Sequence, residues 1–503
     1  MLKILPRKYN CLILWQINKV RFMEKIIGRK KEISELERLY ASKKPEFVVV
    51  YGRRRIGKTF LVRNLFEERI LFLHTALSPS EFAKKELNDY QLQAFYNTLQ
   101  NSGCDMEQAP KDWFEAFMYL RKFIESKHQE LEGRQLVFID ELPWMDVKGS
   151  GFVTAFEHFW NSWASAQDYL MLVVCGSATT WINDKLLNNY GGLYGRITAE
   201  IRLAPFSLHE CEQYLESRNI VMNRYDQIQC YMIMGGIPYY LSLMNPGMSL
   251  AQNIDSLFFT QKGRLNLELD RLINSLYSSP QAYAKVLRLL STKREGFTRK
   301  EISESTGLSY GGGLTEVLNG LEASSFVESY TYYNGSKRNI HYRLVDGFVL
   351  FYMTFVDGKT GISPTFWSDS QLLPSLQSWR GFSFEGVCLT HISSIKRALG
   401  IDGVRTTQAP WRSKDTDPGA QIDLVIDRAD RVVNLCEMKF SISDFEVSKK
   451  YEGELRHKLD TFIKETKCRK SVHTTLVTTY GIKKNIYSNF FQKVITMDDL
   501  FSS

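Results

Sequence analysis

The first half of the chain alternates short apolar runs with longer stretches of helical periodicity. A continuous apolar run predicts a strand buried on both faces, whereas a half-buried strand would alternate apolar and polar residues. The runs are EFVVVY, QLVFID, YLMLVVCGSA and TAEIRLAP, at residues 46–51, 135–140, 169–178 and 198–205. Strands that alternate with helices predict an α/β fold, a parallel sheet with helices on both faces.

The pattern changes in residues 280–345. AYAKVLRLL, TRKEISEST and GGGLTEVLNGLEAS have helical periodicity, and Thr298 and Glu301 form a capping box at the start of the second helix. VESYTYY and IHYRL then read as strands on either side of the turn NGSKRN. This order of elements is that of a winged helix-turn-helix.

The predicted third helix of this segment has few residues suited to DNA. Its exposed face would carry Thr315, Glu316, Asn319 and Glu322. Glutamates that face phosphates are unfavourable, although Lys337 and Arg338 on the wing could contact the DNA backbone. DNA reading therefore stays open, and docking to a protein partner is the favoured alternative.

The last part of the chain predicts a helix, strands, a second helix and a final strand. QIDLVID and VVNLCEMKF, separated by RADR, predict an antiparallel hairpin. Alternation places Glu437 and Lys439 on one face, with Asp423 near the start of the other strand. Two carboxylates on neighbouring strands could bind Mg²⁺ or Mn²⁺. A lysine beside them could stabilise a metal-bound hydroxide or the negative charge that develops on a phosphate.

The first apolar run leads into GRRRIGKT, which fits the pattern GxxxxGK[ST] between a strand and a helix. Gly52 and Gly57 let the backbone N–H groups turn inward around phosphates, at the start of a helix whose dipole favours anions. Lys58 would reach the β- and γ-phosphates, and the Thr59 hydroxyl would hold Mg²⁺. The three arginines between the glycines fit solvated loop charges better than a nucleic-acid patch, and one of them could contact phosphate or a neighbouring domain.

Polar residues also follow the next predicted strands. Asp140 would bind Mg²⁺, and Glu141 would orient and deprotonate the attacking water. Ser177 follows the third strand and could sense the γ-phosphate, although serine is common after strands. Arg196 precedes the fourth strand. It would either stabilise charge on the transferred phosphate or be an ordinary surface arginine.

These motifs together resemble the P-loop ATPases of the archaeal-type AAA+/STAND group, over residues 23–260. The IIGR opening, GRRRIGKT, FIDE and the GR before the last strand all fit. GGIP resembles the GxP motif of that group's helical lid, where proline packs on adenine; by itself it is a turn with a helix break. The resemblance implies ATP contacts at Gly28, Arg29, Gly52, Arg53, Arg54, Arg55, Ile56, Gly57, Lys58, Thr59, Phe60 and Pro238.

The C-terminal segment resembles the PD-(D/E)xK nuclease-like superfamily. Asp423, Glu437 and Lys439 fit D…ExK, and Glu385 in FSFEG fits the helix acid that many members use as a further metal ligand. Ile422 replaces the proline of the motif, which the superfamily tolerates, and the next helix lacks the glutamine of some DNA-processing members. An active nuclease, a nuclease fold used for binding or regulation, and coincidental charges all stay open.

Length and composition bound the remaining possibilities. With 503 residues the chain predicts several domains, and its net charge of +8 is only a mild preference for polyanions. Eight cysteines without a CxxC pair indicate reduced, cytoplasmic usage without a zinc site, and no apolar stretch predicts a membrane span. The predicted segments are an N-terminal extension (1–22), the ATPase core (23–205), a helical lid (206–270), the winged helix with a buried connecting helix (271–357), a linker loop (358–374) and the nuclease-like domain (375–503).

The leading hypothesis is an ATPase that uses Mg²⁺ and whose nucleotide state controls a Mg²⁺- or Mn²⁺-dependent nuclease acting on DNA or another nucleic acid. The alternative is a regulatory or signalling switch that binds ATP and then changes its shape or its state as a homo-oligomer. Such a switch would recruit a protein partner and would not cleave nucleic acid. A nucleic-acid motor fits less well, because the chain shows no second RecA-like core.

Overall fold

A computed structural model describes residues 26–79, 86–188, 191–277, 279–336, 338–414 and 416–502. The predicted extension at residues 1–22 and the wing residue Lys337 lie outside this part of the chain. Two compact units are present, one ending at Ala204 and the other beginning at Pro205. Among the described residues, no helix combines the length and apolar content that a bilayer crossing requires.

The first unit is built on a five-stranded sheet among its described residues. Its strands are β1 (Glu46–Tyr51), β2 (Ile70–Thr75), β3 (Gln135–Asp140), β4 (Leu170–Gly176) and β5 (Ala199–Arg202). They pair in the order β2-β3-β4-β1-β5, and every pairing is parallel, as predicted. Strand β2 was not predicted, because its run ILFLHT follows the preceding helix without a glycine or proline to mark the boundary.

Helices cover both faces of this sheet, which confirms the predicted architecture. Along β1, Phe47 and Val49 belong to one apolar cluster, and Val48 and Val50 belong to another, as the alternation of a strand requires. The helices are α1 (Lys30–Tyr40), α2 (Lys58–Phe66), α3 (Leu87–Asn101), α4 (Trp113–Glu130), α5 (Phe152–Ser162) and α6 (Thr179–Ile182).

The second unit begins with helices, as the periodicity after residue 205 predicts. These are α7 (Leu208–Ser217), α8 (Arg224–Met234), α9 (Pro238–Leu241), α10 (Leu250–Ile254) and α11 (Glu268–Leu276). Side-chain caps fix three of the starts: Ser207 forms a capping box with Glu210, Ser249 forms one with Gln252, and Asn223 accepts a hydrogen bond from the Asp226 N–H.

A small antiparallel sheet and four helices follow. They are α12 (Pro280–Leu290), β6 (Phe297–Thr298), α13 (Arg299–Thr306), α14 (Gly312–Ala323), β7 (Val327–Tyr330), β8 (His341–Leu344) and α15 (Gly347–Phe355), and the strands pair in the order β6-β8-β7. The predicted capping box of Thr298 and Glu301 is present. Helix α15 is buried, as predicted for the connecting helix. It begins only at Gly347, where Asp346 caps it, because Tyr342 upstream is still paired in the sheet.

The prediction of a linker loop at residues 358–374 is partly wrong. Helix α16 (Phe366–Asp369) lies within it, and the Trp367 side chain is buried. The Asp255 carboxylate accepts the backbone N–H groups of Trp367 and Ser368 at 2.7 and 3.1 Å. This stretch is therefore docked on the unit by a charged helix cap and a buried aromatic side chain.

The C-terminal part contains α17 (Pro374–Thr390), α18 (Ile392–Ala398), β9 (Thr406–Arg412), β10 (Gln421–Arg428), β11 (Val432–Lys439), α19 (Lys449–Thr466), β12 (Ser471–Thr478), β13 (Lys493–Ile495) and α20 (Met497–Phe501). The strands pair in the order β13-β12-β11-β10-β9. β10 and β11 form the predicted antiparallel hairpin, while β12 and β13 add in parallel. The predicted first helix is instead two helices, divided at His391, whose Nε2 accepts the Leu208 N–H.

One apolar cluster runs through the whole second unit, from Phe206 to Phe501. It takes in residues of the predicted lid, the connecting helix, the linker and the C-terminal domain. Arg294 reaches from the turn between α12 and β6 to carboxylates of the C-terminal part, so side chains far apart in sequence meet within this unit.

Candidate functional site

The phosphate-binding loop lies between β1 and α2. Gly52 has φ of 143°, and a Cβ there would stand 2.5 Å from the Leu203 carbonyl oxygen, so only glycine fits. Gly57 has φ of 93° and caps α2. The left-handed backbone and the helix start direct N–H groups toward one point, as phosphate binding requires.

Lys58 lies at the first position of α2, and the residue is only 5% exposed. Its Nζ donates hydrogen bonds to the carbonyl oxygens of Gly52 at 3.1 Å and Arg53 at 3.2 Å. The ammonium is thereby held against the loop by two neutral acceptors.

Thr59 and Asp140 meet, although they are 81 positions apart in sequence. The Thr59 hydroxyl donates to Asp140 Oδ2 at 2.9 Å, and Asp140 Oδ1 accepts the Glu141 N–H at 3.0 Å and the Cys175 thiol. Burial, followed by the Asp140 charge, raises the pKa of Cys175 well above its ordinary value, so the thiol stays a neutral donor. Hydroxyl and carboxylate oxygens are hard ligands, so this pair fits Mg²⁺.

Glu141 and Ser177 form a second polar pair at the same sheet edge. Glu141 has φ of 52°, and its carboxylate accepts the Ser177 N–H at 3.0 Å and the Ser177 hydroxyl at 2.9 Å. Asp140 and Ser177 follow the neighbouring strands β3 and β4, and β4 lies beside β1. Parallel pairing therefore brings the loop, Asp140, Glu141 and Ser177 to one edge, while Ser177 holds Glu141 in this arrangement.

The predicted solvation of the loop arginines is wrong for Arg53, which is only 3% exposed. Arg54 lies over the Trp144 ring, 5.8 Å from its centroid, and Arg55 is half-buried with φ of 74°. The loop therefore buries side chains that composition alone would place in water.

The IIGR opening also reaches the loop. Gly28 and Arg29 both have positive φ, and Arg29 Nη2 donates to the Ile56 carbonyl oxygen at 3.4 Å. Arg29 is buried, whereas Phe60 on α2 is partly exposed. These contacts place the opening beside the loop from which the other nucleotide contacts are predicted.

Two predicted nucleotide residues belong to other elements than the phosphate-binding loop and the ends of β3 and β4. Arg196 is exposed in the turn before β5. Pro238 is half-buried at the first position of α9, which belongs to the second unit. Their contacts with phosphate and adenine stay predictions.

The face of α14 has the acidic character that the sequence predicts. Glu316 and Asn319 are exposed, whereas Thr315 accepts a hydrogen bond from Arg299 at 2.6 Å and Glu322 accepts the Ser329 N–H at 3.1 Å. Two of the four side chains are thus engaged inside the unit. Arg338, between β7 and β8, is exposed.

The C-terminal acids gather on the β10–β11 hairpin. Leu424 pairs with Cys436, which brings Asp423 and Glu437 side by side on one face. Asp423 Oδ2 accepts the Met438 N–H at 3.0 Å, and Lys439 Nζ lies 2.9 Å from Glu437 Oε1. Both carboxylates are buried. The predicted juxtaposition of two acids and a lysine is present.

Two residues of α19 complete the surroundings of Glu437. Lys458 Nζ donates to both carboxylate oxygens at 2.8 and 2.9 Å, and the Tyr451 hydroxyl donates to Oε1 at 3.0 Å. Sequence reasoning missed both residues. The signal was there, because they lie about two turns apart on one face of the helix that follows ExK.

Arg294 was also missed, and it bridges the remaining two acids. Its Nη1 donates to Glu385 Oε1 at 2.6 Å and its Nη2 to Asp423 Oδ1 at 2.5 Å. These partners are 91 and 129 positions away in sequence, so no local pattern points to the contact.

Burial and charge act against each other in this acid cluster. Burial, then the Asp423 charge, raises the pKa of Glu385, and Arg294 opposes that shift. Burial, then Glu437, raises the pKa of Asp423. For Glu437 burial also favours the neutral form, yet Lys439 and Lys458 together bring its pKa below the ordinary value.

The three carboxylates do not form the predicted metal site in this arrangement. Within the described ranges, no group of three or more His, Cys, Asp or Glu side chains is placed to hold a metal ion. The prediction that Glu385, Asp423 and Glu437 act as a ready metal ligand set is thus not supported, because Arg294, Lys439 and Lys458 occupy their oxygens.

Comparison with solved structures gives distant similarities. A Walker-type ATPase of Pyrococcus abyssi is 18% identical with a TM-score of 0.43, covering 66% of this chain and 97% of that chain. The ORC2 protein of Aeropyrum pernix is 12% identical with a TM-score of 0.41, covering 66% of this chain and 93% of that chain.

The two sequence relatives differ in how much of the chain they cover. An uncharacterized protein of Methanocaldococcus jannaschii is 22% identical over 440 residues, which are 86% of this chain and 91% of that protein. An uncharacterized ATP-binding protein of the same organism is 40% identical over 43 residues, 8% of this chain and 73% of that protein. Residues 26–244 match a family described as an ATPase domain predominantly from Archaea. This chain therefore contains an ATPase domain of the archaeal type.

Proposed function

We propose that the first unit binds ATP with Mg²⁺ and hydrolyses it at the sheet edge formed by the ends of β1, β3 and β4. The observation that carries this proposal is the 2.9 Å hydrogen bond from Thr59 to Asp140, which places two hard oxygen ligands beside the phosphate loop. These two side chains would hold Mg²⁺, which supplies charge neutralisation at the phosphates when bound. Lys58 would contact the β- and γ-phosphates, and Glu141 would orient the attacking water.

Glu141→Gln is expected to lower Mg²⁺-dependent ATP hydrolysis by at least about 100-fold, because glutamine cannot accept the proton of the attacking water. ATP binding is expected to persist, since the amide still accepts a hydrogen bond from Ser177 and keeps its length. Phosphate release and titration with a fluorescent ATP analogue measure the two effects separately. The exposed Glu200→Gln on β5 is the matched control. Hydrolysis by E141Q at the wild-type rate would contradict the assignment.

The acid cluster supports a second proposal, that the nucleotide state controls metal-dependent cleavage of nucleic acid at Asp423, Glu437 and Lys439. Support comes from the two acids on paired strands and from the 2.9 Å contact of Lys439 with Glu437. The 22% identical relative extends over both units, which supports their operation together. The alternative is a switch that assembles with ATP and does not cleave; the acidic α14 and the cations on the carboxylates favour it.

The variants Glu437→Ala and Lys439→Ala distinguish these two possibilities. If the cluster cleaves nucleic acid, each variant is expected to lose at least about 100-fold of the Mg²⁺- or Mn²⁺-dependent activity, since each removes a charge from the reacting centre. Cleavage of single- and double-stranded DNA and RNA is measured with and without ATP. Glu446→Ala and Lys483→Ala remove an exposed pair of the same charges and serve as controls. Activity that survives both cluster variants would eliminate the nuclease assignment, and wild-type inactivity with every metal would favour the switch.

A further inference from the structure

Arg294 occupies an unusual position for a surface turn. It lies in residues 291–296 between α12 and β6, yet its guanidinium reaches two acids of the C-terminal part of the same unit. One nitrogen contacts Glu385 on α17 at 2.6 Å, and the other contacts Asp423 on β10 at 2.5 Å. One side chain thus joins a helix and a strand that carry the acid cluster.

The Arg294 guanidinium offsets the cost of burying the Glu385 and Asp423 carboxylates close together. The side chains of Glu385 and Asp423 are 12% and 6% exposed, whereas the Arg294 side chain is 34% exposed. Two ionised carboxylates in a low-dielectric environment repel one another, and a cation between them removes that repulsion. The planar guanidinium supplies this charge through two separate donor nitrogens.

The oxygens that Arg294 contacts are the ones a divalent cation would need. Asp423 Oδ2 already accepts the Met438 N–H at 3.0 Å, which leaves Oδ1 for an external cation. Arg294 is bound to that Oδ1 and to Oε1 of Glu385. Arg294 and a metal ion would therefore compete for these two oxygens.

The turn that carries Arg294 is tied to the small sheet β6-β8-β7. The Glu295 carbonyl oxygen accepts the Tyr330 hydroxyl hydrogen bond at 2.7 Å. Gly296 has φ of 65°, and a Cβ there would meet the Tyr342 carbonyl oxygen at 1.9 Å, so the backbone lies directly on β8. Any shift of this sheet against the β10–β11 hairpin would change the Arg294 contacts.

We propose that Arg294 is an internal pin that closes the acid cluster to divalent metal, and that its withdrawal with the small sheet opens the site. This inference rests on the proposed function of the cluster as a metal-dependent site. It makes the segment between α12 and β8 an inhibitory element of the second unit. It also accounts for the presence of the three acids without a ready metal ligand set.

The test measures Mn²⁺ binding to the nucleotide-free full chain. Electron paramagnetic resonance of the free ion monitors the binding. Arg294→Gln is expected to bind Mn²⁺ at least about tenfold more tightly than wild type, because the competing cation is gone. Arg294→Lys, which keeps the charge and loses the two-pronged geometry, is expected to fall between them. Arg288→Gln, in α12 just before this turn, removes an exposed arginine paired with Asp357 and is expected to behave as wild type.

Two outcomes would overturn the pin. The first is equal Mn²⁺ affinity in wild type, R294K and R294Q, with circular dichroism showing that the variants are folded; if R294Q does not fold, R294K decides. The second is a gain in R294Q that persists in the double variant R294Q/D423N, since the metal would then bind elsewhere. Cleavage assays on the same samples separate the two ideas: tighter Mn²⁺ binding without cleavage supports the pin and contradicts the nuclease.

Discussion

Lys58→Ala is expected to lower Mg²⁺-dependent ATP hydrolysis by about 100- to 1000-fold and to weaken ATP binding, the largest loss of activity of any change considered. The Lys58 ammonium is buried and donates only to neutral carbonyl oxygens of its own loop. A phosphate oxygen carries a negative charge that a carbonyl oxygen lacks, so it attracts the ammonium more strongly and would displace the carbonyls. Alanine removes both the charge and its pre-set position.

Phosphate release and nucleotide titration measure the effect of this substitution. Lys122→Ala, an exposed lysine on α4, is the matched control and is expected to match wild type. Lys58→Arg keeps the charge in a different shape, and it is expected to be strongly impaired as well, because the loop fits a single ammonium. Circular dichroism would show that each variant is folded. Hydrolysis by K58A within a few-fold of wild type would remove Lys58 from the site.

The phosphate loop was predictable because its chemistry is local. Strand, glycine turn and helix follow one another without interruption, and the residue types that bind phosphate stand at fixed spacing. The partner Asp140 is distant in sequence but lies at the end of β3, a parallel strand separated from β1 by β4 alone, and the fold class itself brings it to the same edge. The same reasoning located the β10–β11 hairpin and its acids.

Three residues that contact the acid cluster, Lys458, Tyr451 and Arg294, were not predictable in the same way. Lys458 and Tyr451 share a helix face, so the pattern was visible but ambiguous among the many charged residues of α19. Arg294 carries no pattern at all, because its partners lie on other elements and the contact depends on how those elements pack. Charge pairing between residues far apart in sequence depends on the tertiary fold. Composition shows how many arginines the chain has, but it does not show which acids they contact.

The same limit applies to the organisation of the second unit. Changes in periodicity predict a lid, a winged helix, a linker and a C-terminal domain as successive segments. Hydrophobic periodicity shows which face of each element is buried, but it does not show which face of another element covers it. In the structure these faces cover one another, and Phe351 on α15 is surrounded by rings from several of the predicted segments.

Phe351→Ala is therefore expected to destabilise the whole second unit by about 3–5 kcal/mol. The Phe351 side chain is fully buried, and its ring centroid lies 4.9 Å from that of Phe258, 5.1 Å from Trp367 and 5.7 Å from Trp379. These partners belong to the predicted lid, linker and C-terminal domain respectively. Truncation leaves a cavity that all of them line, and a rigid aromatic cluster relaxes only partly into it.

Hydrogen exchange measured by mass spectrometry would show how far the effect spreads. Protection is expected to fall together in α15, α16 and α17, because a shared core opens as a unit, while β3 in the first unit keeps its protection. Leu372→Ala, at a side chain that is 90% exposed, is the control and is expected to change stability by less than about 0.5 kcal/mol. A loss of protection confined to α15, with α17 unchanged, would mean that the C-terminal part is stable without the shared core. Arg294 would then be the contact to examine, since it would join two separately stable parts and its withdrawal would need no unfolding.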